Sequence, residues 1–420
     1  MTKKEPSADG NNGATRLNRS LYILPNDTPV CAIEAAKSFE KLSDQEKRYA
    51  HHVARACWLG SLIVNHQTSP ESPEIAVLLF ELFSRQSMDD LKKTAIDKCA
   101  FTNDEWTALL VYTAGFIHNN GNYKGFGDTK FVPDVDQEKF ENFVTTSAAQ
   151  CTQLKSVESL LKSCLSKMFS LDKKHLSLGL PEKGTTTYHS SNVTSDDIKL
   201  VDEFMKEQSM EPWNTRLFKT VADGKTKFEI RLASVKQGVV SGPTTFKDAE
   251  FTVTRGDYAE LLKRVVAELE SAQKHAANEQ QRQMIDEYLT HFTTGELNAH
   301  KNASRHWIKD LKPAVESYIG FIENYRDPVG ARAEFEGFVA CVDRTMSAKF
   351  ERLVDNAERL LQRLPWGPLY EKDKFLQPDF TSLDIVAFGA SGPPAGINIP
   401  NCRWSCSRNR NTDCCLLRCI

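Results

Sequence analysis

The chain has 420 residues, of which 40% are hydrophobic and 26% charged, and its formal net charge is −3. This length and apolar content allow a substantial core in about two or three domains or one large bilobed unit, and the near-neutral charge gives no reason to expect nucleic acid as a partner. No apolar run approaches the roughly 20 residues of a membrane-spanning helix, and residues 1–19 lack the apolar segment of a secretory signal. We therefore predict a cytoplasmic protein with no membrane association.

The cysteines fall into two groups. Six are spread through apolar helical patterns as small hydrophobic residues are, which argues against a disulfide framework. These six are Cys31, Cys57, Cys99, Cys151, Cys164 and Cys341. The other five crowd into residues 402–420, where their spacing matches no known zinc pair, although a thiolate metal site there stays an alternative. These five are Cys402, Cys406, Cys414, Cys415 and Cys419.

The first half of the chain has the pattern of a helical layer. Residues 1–19 are polar and rich in Gly, Asn and Ser, so we predict that they are disordered. Capping boxes that begin at Ser43 and Thr102 predict helices to about residue 66 and to Gly121. Apolar periodicity predicts further helices over 73–86, 136–149 and 157–169.

The second half alternates strands and helices. Short strands are predicted within 215–255, the first two joined as a hairpin at the Asp223-Gly224 turn. A long charged helix follows over 257–290 and a short one over 302–310. The remaining predicted elements are a strand over 314–325, a helix over 331–364, a strand over 380–390 and an extended Gly/Pro segment over 391–401 that suits an exposed sheet edge.

An acid and a phenol stand two residues apart where the 314–325 strand is predicted to end. Because side chains alternate along a strand, Glu323 and Tyr325 are expected to project from the same face, just before an Arg-Asp-Pro-Val-Gly turn. Chain reversals at strand ends commonly border pockets. Taken alone, the pattern is a weak signal, because acids and tyrosines at strand ends mostly form solvated rims or structural hydrogen bonds.

Searches for known spacings of catalytic residues find no active site. The sequence contains no His-Glu-x-x-His, no Gly-x-Ser-x-Gly elbow, no phosphate-binding glycine loop and no Cys-x-x-Cys pair. The glycine-rich segment 121–127 lacks the strand-to-helix setting of a nucleotide loop, so we interpret it as a turn that presents Tyr123 and Phe126.

Several long and unusual segments, in this order, do resemble a known family. They cover residues 119–133, 180–191, 316–340, 364–384 and 391–401, and the similarity extends over about 20–401. Through them the chain resembles the dipeptidyl peptidase III family of cytosolic zinc exopeptidases, which remove dipeptides from the free amino end of short peptides. The resemblance implies an α+β, mainly helical fold with two lobes around a wide cleft, the mixed lobe being built on a small five-stranded β-core.

The resemblance also implies roles for particular residues. Glu323 would receive the α-ammonium group of the substrate in a charge pair, and Tyr325 would donate a hydrogen bond to the developing oxyanion. The backbone of Pro394, Ala395, Gly396, Ile397 and Asn398 would accept the peptide as an added strand. Further implied substrate contacts are the side chains of Asn398 and Asn401, Phe126 in a subsite, and Glu336 and Trp307 in the cleft region, the last two with structural roles as an alternative.

The resemblance divides the chain into segments. Residues 20–330 would form the mixed lobe, 331–379 a long helix and return segment of the helical lobe, and 380–401 a return strand with the peptide-binding edge. It stops after Asn401, before the family's zinc-binding helix, and 402–420 read as an aberrant Cys/Arg-rich tail. We therefore expect zinc in the family but no metal ligands here, and a chain that is inactive alone. The alternative is a non-catalytic peptide-binding or interaction fragment.

A helix over 331–364 that belongs to another lobe would lack its packing partners. Its apolar side chains would then be exposed, at a cost of about 25 cal/mol per Å² of unburied apolar surface. The affected residues are Phe335, Phe338, Val339, Met346 and Leu353. We accordingly expect an aggregation-prone or chaperone-bound chain whose specific partners are short oligopeptides with a free N-terminus.

Overall fold

The computed structural model describes residues 18–150, 157–370, 379–392, 398–399 and 418–419. Helices dominate the first part of the chain, where the predicted capping boxes at Ser43 and Thr102 are both present. The helices are α1 (Ala36–Glu40), α2 (Asp44–Thr68), α3 (Ser72–Ser84), α4 (Met88–Lys93), α5 (Asn103–Asn119), α6 (Gln137–Gln150) and α7 (Val157–Phe169). Their apolar faces form a core that includes Leu79, Trp106, Phe143 and Leu161.

A four-stranded sheet follows helix α8 (Ser195–Glu207). Its strands are β1 (Thr215–Ala222), β2 (Lys225–Ala233), β3 (Gly238–Phe246) and β4 (Ala249–Asp257), in the order β1-β2-β4-β3. The β1–β2 hairpin is confirmed, with positive φ at Asp223 and Gly224, the conformation that a two-residue hairpin turn requires. Strand β3 was not predicted, because its side chains are exposed on both faces and carry no apolar alternation.

Three helices connect this sheet to the next. They are α9 (Ala259–Gln273), α10 (Glu279–Thr294) and α11 (Leu297–Trp307). The prediction of a single helix over 257–290 is wrong, because α9 ends at Gln273 and a second helix follows. The Asn278 side chain caps this second helix by accepting the backbone N–H of Gln281. Helix α9 packs along α2, and both contribute to the largest apolar core.

The second sheet is antiparallel and almost wholly buried. It contains β5 (Val315–Phe321), β6 (Phe335–Val342) and β8 (Leu383–Phe388), in the order β5-β6-β8. Its centre is covered by α2, where Gly60 lies so close to the Phe335 ring that a Cβ atom on it would be 2.0 Å away. Three two-residue strands, β7 (Asp379–Phe380), β9 (Asn398–Ile399) and β10 (Arg418–Cys419), pair in the order β7-β10-β9.

The helix predicted over 331–364 is wrong in its first third. Residues 335–342 form strand β6, which pairs with β5 on one side and β8 on the other, and helices begin only at α12 (Arg344–Asp355) and α13 (Ala357–Leu361). Phe335, Phe338 and Val339 are fully buried, contrary to expectation, whereas Leu353 on α12 is 53% exposed. The apolar spacing of this stretch suits a helix as well as a buried strand, and only the pairing partners distinguish the two.

The α+β, mainly helical class is confirmed. The described strands form one four-stranded sheet, one three-stranded sheet and a set of three short strands. Three of the five side chains that motivated the expectation of chaperone binding are buried. Within the part of the chain that is described, no helix has both the length and the apolar character needed to cross a bilayer.

Candidate functional site

The turn between β5 and β6 carries the predicted acid and phenol. Strand β5 ends at Phe321, earlier than predicted, yet backbone pairing continues through the Ile322 N–H to the Glu334 carbonyl at 3.0 Å and the Glu334 N–H to the Glu323 carbonyl at 2.6 Å. The backbone of Glu323 is thus held by hydrogen bonds that extend the β5–β6 pairing, whereas Tyr325 lies in the turn itself.

Asp327 holds this turn in shape. Its carboxylate is buried and accepts backbone N–H groups from the residues that follow, at 3.3, 3.0 and 2.7 Å for Val329, Ala331 and Arg332. An aspartate that bonds nearby backbone in this way stabilises a tight turn. The Asp-Pro-Val-Gly segment therefore presents Tyr325 from a rigid base.

The Glu323 and Tyr325 side chains contact each other beyond the end of β5, and not from one face of a strand as the sequence pattern suggested. The Tyr325 hydroxyl donates to the Glu323 carboxylate. The pKa of the phenol is raised, mainly by partial burial and also by the negative charge of Glu323. Tyr325 therefore stays protonated at neutral pH and can donate a hydrogen bond. Its ring is 56% exposed and lies against that of Phe126, with 5.9 Å between the ring centroids.

Phe126 projects from the glycine-rich turn, where it is 76% exposed. The expectation that the same turn presents Tyr123 is wrong, because Tyr123 is fully buried and its hydroxyl donates to the His175 carbonyl at 2.9 Å. An exposed phenylalanine beside an exposed tyrosine forms an apolar surface next to the Glu323 carboxylate. This combination suits a ligand that carries both an apolar side chain and a positive charge.

Glu336 lies on β6 in the interior, with only 9% of its surface exposed. The Tyr318 hydroxyl donates to its Oε1 at 2.5 Å. Burial, together with the negative charges of Glu334 and Glu323, raises the pKa of Glu336 to about 8. Glu336 is therefore mostly neutral at pH 7.

The structure describes only some of the remaining predicted site residues. Asn398 lies in β9, which pairs antiparallel with β10, while Pro394, Ala395, Gly396, Ile397 and Asn401 lie outside the described residues. Trp307 is buried in the main core, where its indole N–H donates to Glu316 at 2.6 Å. This position favours the structural alternative for Trp307.

Sequence reasoning missed Arg326 and its partners. Arg326 follows Tyr325 directly, is 2% exposed, and contacts Glu334, Ser391 and backbone carbonyls near the end of α5. The only local feature that could have pointed to Arg326 is the turn-forming Asp-Pro pair that follows it in the sequence. Its partners are distant in the sequence, so nothing local could identify them.

The class of protein is given by comparison with known proteins. The profile of peptidase family M49 matches residues 160–406. Human dipeptidyl peptidase 3 is 51% identical over 390 residues, which covers 90% of this chain and 53% of the human protein. The dipeptidyl peptidase 3 of Nematostella vectensis is 48% identical over 399 residues, which covers 91% of this chain and 55% of that protein.

The chain belongs to peptidase family M49. It spans about half the length of the curated relatives it matches. Among solved structures, the dipeptidyl peptidase III of Caldithrix abyssi matches with a TM-score of 0.50 at 13% identity, which covers 90% of this chain and 55% of that one. That similarity supports the fold.

Zinc is the metal that the family implies. Across residues 18–150, 157–370 and 379–392, no three His, Cys, Asp or Glu side chains lie close enough together to share a metal ion. The His291 and His300 rings approach each other, with centroids 5.2 Å apart, but no carboxylate or thiolate completes a ligand set with them. The described residues therefore do not fit a zinc site.

Proposed function

We propose that this chain recognises the free amino end of short oligopeptides, as part of a cytoplasmic, zinc-dependent peptidase activity of the dipeptidyl peptidase III type that releases dipeptides from the N-terminus. The observation that carries the proposal is the hydrogen-bonded Glu323–Tyr325 pair, held on a rigid turn beside the exposed Phe126 ring. Membership of peptidase family M49 supports a peptide as the ligand.

Glu323 supplies the charge recognition. A peptide α-ammonium group carries a positive charge and three N–H donors, and a carboxylate accepts such donors in short, charge-assisted hydrogen bonds. Glu323 is only partly buried, so the ammonium group can reach it without losing all of its hydration. An N-acetylated peptide has no such charge, so it gains nothing from this pair.

Tyr325 supplies the donor for the reacting carbonyl. An ammonium group that binds Glu323 competes with the phenol for the carboxylate oxygens, and this frees the Tyr325 hydroxyl. The raised pKa keeps the proton on the phenol, so it can donate to the carbonyl oxygen as negative charge develops there. Phe126 would contact an apolar side chain of the bound peptide.

A second candidate is a module that binds peptides without cleaving them. It is favoured because the amino-end contacts Glu323, Tyr325 and Phe126 are assembled from residues of this chain alone. Tyr325 can stabilise an oxyanion only after a nucleophile has attacked the carbonyl. We therefore propose that the 420 residues bind peptides and do not hydrolyse them unaided.

Calorimetry tests amino-end recognition. We expect an unblocked tetrapeptide to bind at least about tenfold more tightly than its N-acetylated form, which is the effect of one charge-assisted contact worth about 1.4 kcal/mol. Glu323→Gln should abolish this preference, because the amide lacks the charge. Glu138→Gln on the exposed face of α6 is the matched control and should leave it unchanged. Equal affinity of the wild type for both peptides would refute the proposal.

A release assay separates binding from cleavage. We expect no liberation of a dipeptide reporter by the 420-residue chain, either without or with added zinc, because no nucleophile is assigned to it. Wild type and Tyr325→Phe should give the same background rate. Turnover that depends on zinc and is lost in Tyr325→Phe would show that the chain hydrolyses peptides by itself.

A further inference from the structure

Arg326 connects three segments of the chain that are far apart in the sequence. Its Nε donates to the Ser391 hydroxyl at 3.0 Å and lies 3.2 Å from Glu334 Oε2. Its Nη2 donates to the Asn119 carbonyl at 2.6 Å and lies 3.5 Å from the Tyr123 carbonyl. A planar guanidinium presents five donors in fixed directions and spans a wider distance than the three donors of a lysine ammonium group, so it can hold acceptors from separate segments in one geometry.

The contact with Asn119 closes the end of α5. The last carbonyls of a helix have no partner within the helix, and a cation beside them also interacts favourably with the helix dipole. Here the chain leaves α5 through Asn120 in a left-handed conformation, and the Gly121 N–H bonds back to the Phe116 carbonyl at 3.0 Å. Arg326 therefore fixes the start of the loop that carries Phe126.

The contact with Ser391 reaches the third segment. Glu334 accepts the Ser391 backbone N–H at 2.8 Å and its hydroxyl at 2.7 Å, so one carboxylate binds both the guanidinium and the serine. The same stretch is tied to the end of α5 by the Gly392 N–H, which donates to the His118 carbonyl at 2.8 Å, and by the Asn120 amide, which donates to the Ala390 carbonyl.

We propose that Arg326 is the positioning residue of the amino-end site: its guanidinium holds the Glu323–Tyr325 turn, the Phe126 loop and the Ser391 segment at the spacing that selects a free α-ammonium group. The proposal rests on the proposed function. Arg326 acts through its neighbours and is too deeply buried to meet the peptide itself. Glu334 compensates its charge, so the arrangement adds rigidity without adding net positive charge to a site for a cation.

The test compares the selectivity of binding with the stability of the fold. Calorimetry with the unblocked tetrapeptide and its N-acetylated form is carried out on wild type, Arg326→Lys and Ser391→Ala, and urea unfolding is measured on the same proteins. Arg326→Lys keeps the charge next to Glu334 but cannot span to Ser391 and Asn119, so the preference for the unblocked form should fall by about tenfold. Ser391→Ala, which removes one contact, should lower it by about threefold.

The matched control is Arg282→Gln. Arg282 is an exposed arginine on α10 that also pairs with acids, Glu279 and Asp286, so its loss tests the effect of removing an arginine elsewhere. It should leave the preference unchanged. In selectively protonated protein, the magnetisation transfer between the Phe126 and Tyr325 rings, which lie 5.9 Å apart, should weaken in Arg326→Lys and not in Arg282→Gln.

The outcomes separate the two proposals. A wild type that does not distinguish the two peptides overturns the proposed function and the role of Arg326 with it. A wild-type preference that survives in both Arg326→Lys and Ser391→Ala overturns only the positioning role. Loss of the preference with an unchanged urea midpoint supports it. If Arg326→Lys does not fold, the peptide preference and the ring-to-ring transfer measured in Ser391→Ala decide.

Discussion

Replacing Phe335 by alanine is expected to lower the free energy of unfolding by about 3–5 kcal/mol, the range for removing a buried phenylalanine. Phe335 is the first residue of β6 and is fully buried. Its ring packs against Gly60 of α2 and lies near Phe292 and Phe321, at centroid distances of 6.0 and 5.8 Å. Because Gly60 is on a helix and its neighbours are packed, the cavity cannot close easily. Urea denaturation measures the loss.

A control residue from the same predicted helix makes this test sharper. Leu353 lies on α12 with 53% of its surface exposed, so Leu353→Ala should change the free energy of unfolding by no more than about 0.5 kcal/mol. Had residues 331–364 formed one helix without partners, the two substitutions would have had similarly small effects. A loss of under about 1 kcal/mol in Phe335→Ala would contradict the position of β6 in the core.

Acid is expected to destabilise the protein through three buried histidines. Burial lowers the pKa of His291 to about 4, that of His300 to about 3, and that of His189, which also faces the positive Arg332, to about 3. The unfolded chain binds these protons near pH 6.5 and the folded chain does not. Stability from these groups is therefore complete above pH 6.5 and is lost as the pH falls below it, by about 2 kcal/mol per histidine at pH 5.

Glu336 acts in the opposite direction. Its pKa is raised to about 8 in the folded chain, so its protonation favours the folded state increasingly as the pH falls from 8 to about 4.5. Between pH 7 and pH 5 this recovers about 2–3 kcal/mol of the loss, which leaves a destabilisation of about 3 kcal/mol from the three histidines and Glu336 together. Urea unfolding at the two pH values gives the difference directly.

Substitutions of single histidines test whether the buried ones cause the loss of stability in acid. His300→Gln should make the difference between pH 7 and pH 5 smaller by about 2 kcal/mol, whatever it does to stability at pH 7. The difference between the two pH values is the useful quantity because His300→Gln also disturbs packing. The His300 ring lies against Gly320, so closely that a Cβ atom on Gly320 would be 2.3 Å from it. The exposed His51 provides the control, and His51→Gln should leave the difference unchanged. Equal stability of the wild type at pH 7 and pH 5 would contradict the buried, neutral state of these histidines.

Local signals accounted for much of the fold. The capping boxes at Ser43 and Thr102 and the Asp223-Gly224 turn are correct to within a residue or two, because the side-chain and backbone bonds that define them join residues at most a few positions apart. Glu323 and Tyr325 were expected close together because they are two residues apart, whereas their hydrogen bond across the end of the β5–β6 connection was not predicted. The family resemblance, based on long segments, is confirmed by the match to peptidase family M49.

Contacts between distant segments were decided only by the tertiary structure. Residues 335–342 became a strand because β5 and β8 pair with both of its edges and α2 covers it, and no property of the segment itself requires this. The contacts of Arg326 form because its partners, at Asn119, Glu334 and Ser391, converge on it only after folding. The sequence alone determined the starts of α2 and α5, the Asp223-Gly224 turn and the family. The burial of Arg326 among distant segments depended on long-range packing, which local propensity cannot encode.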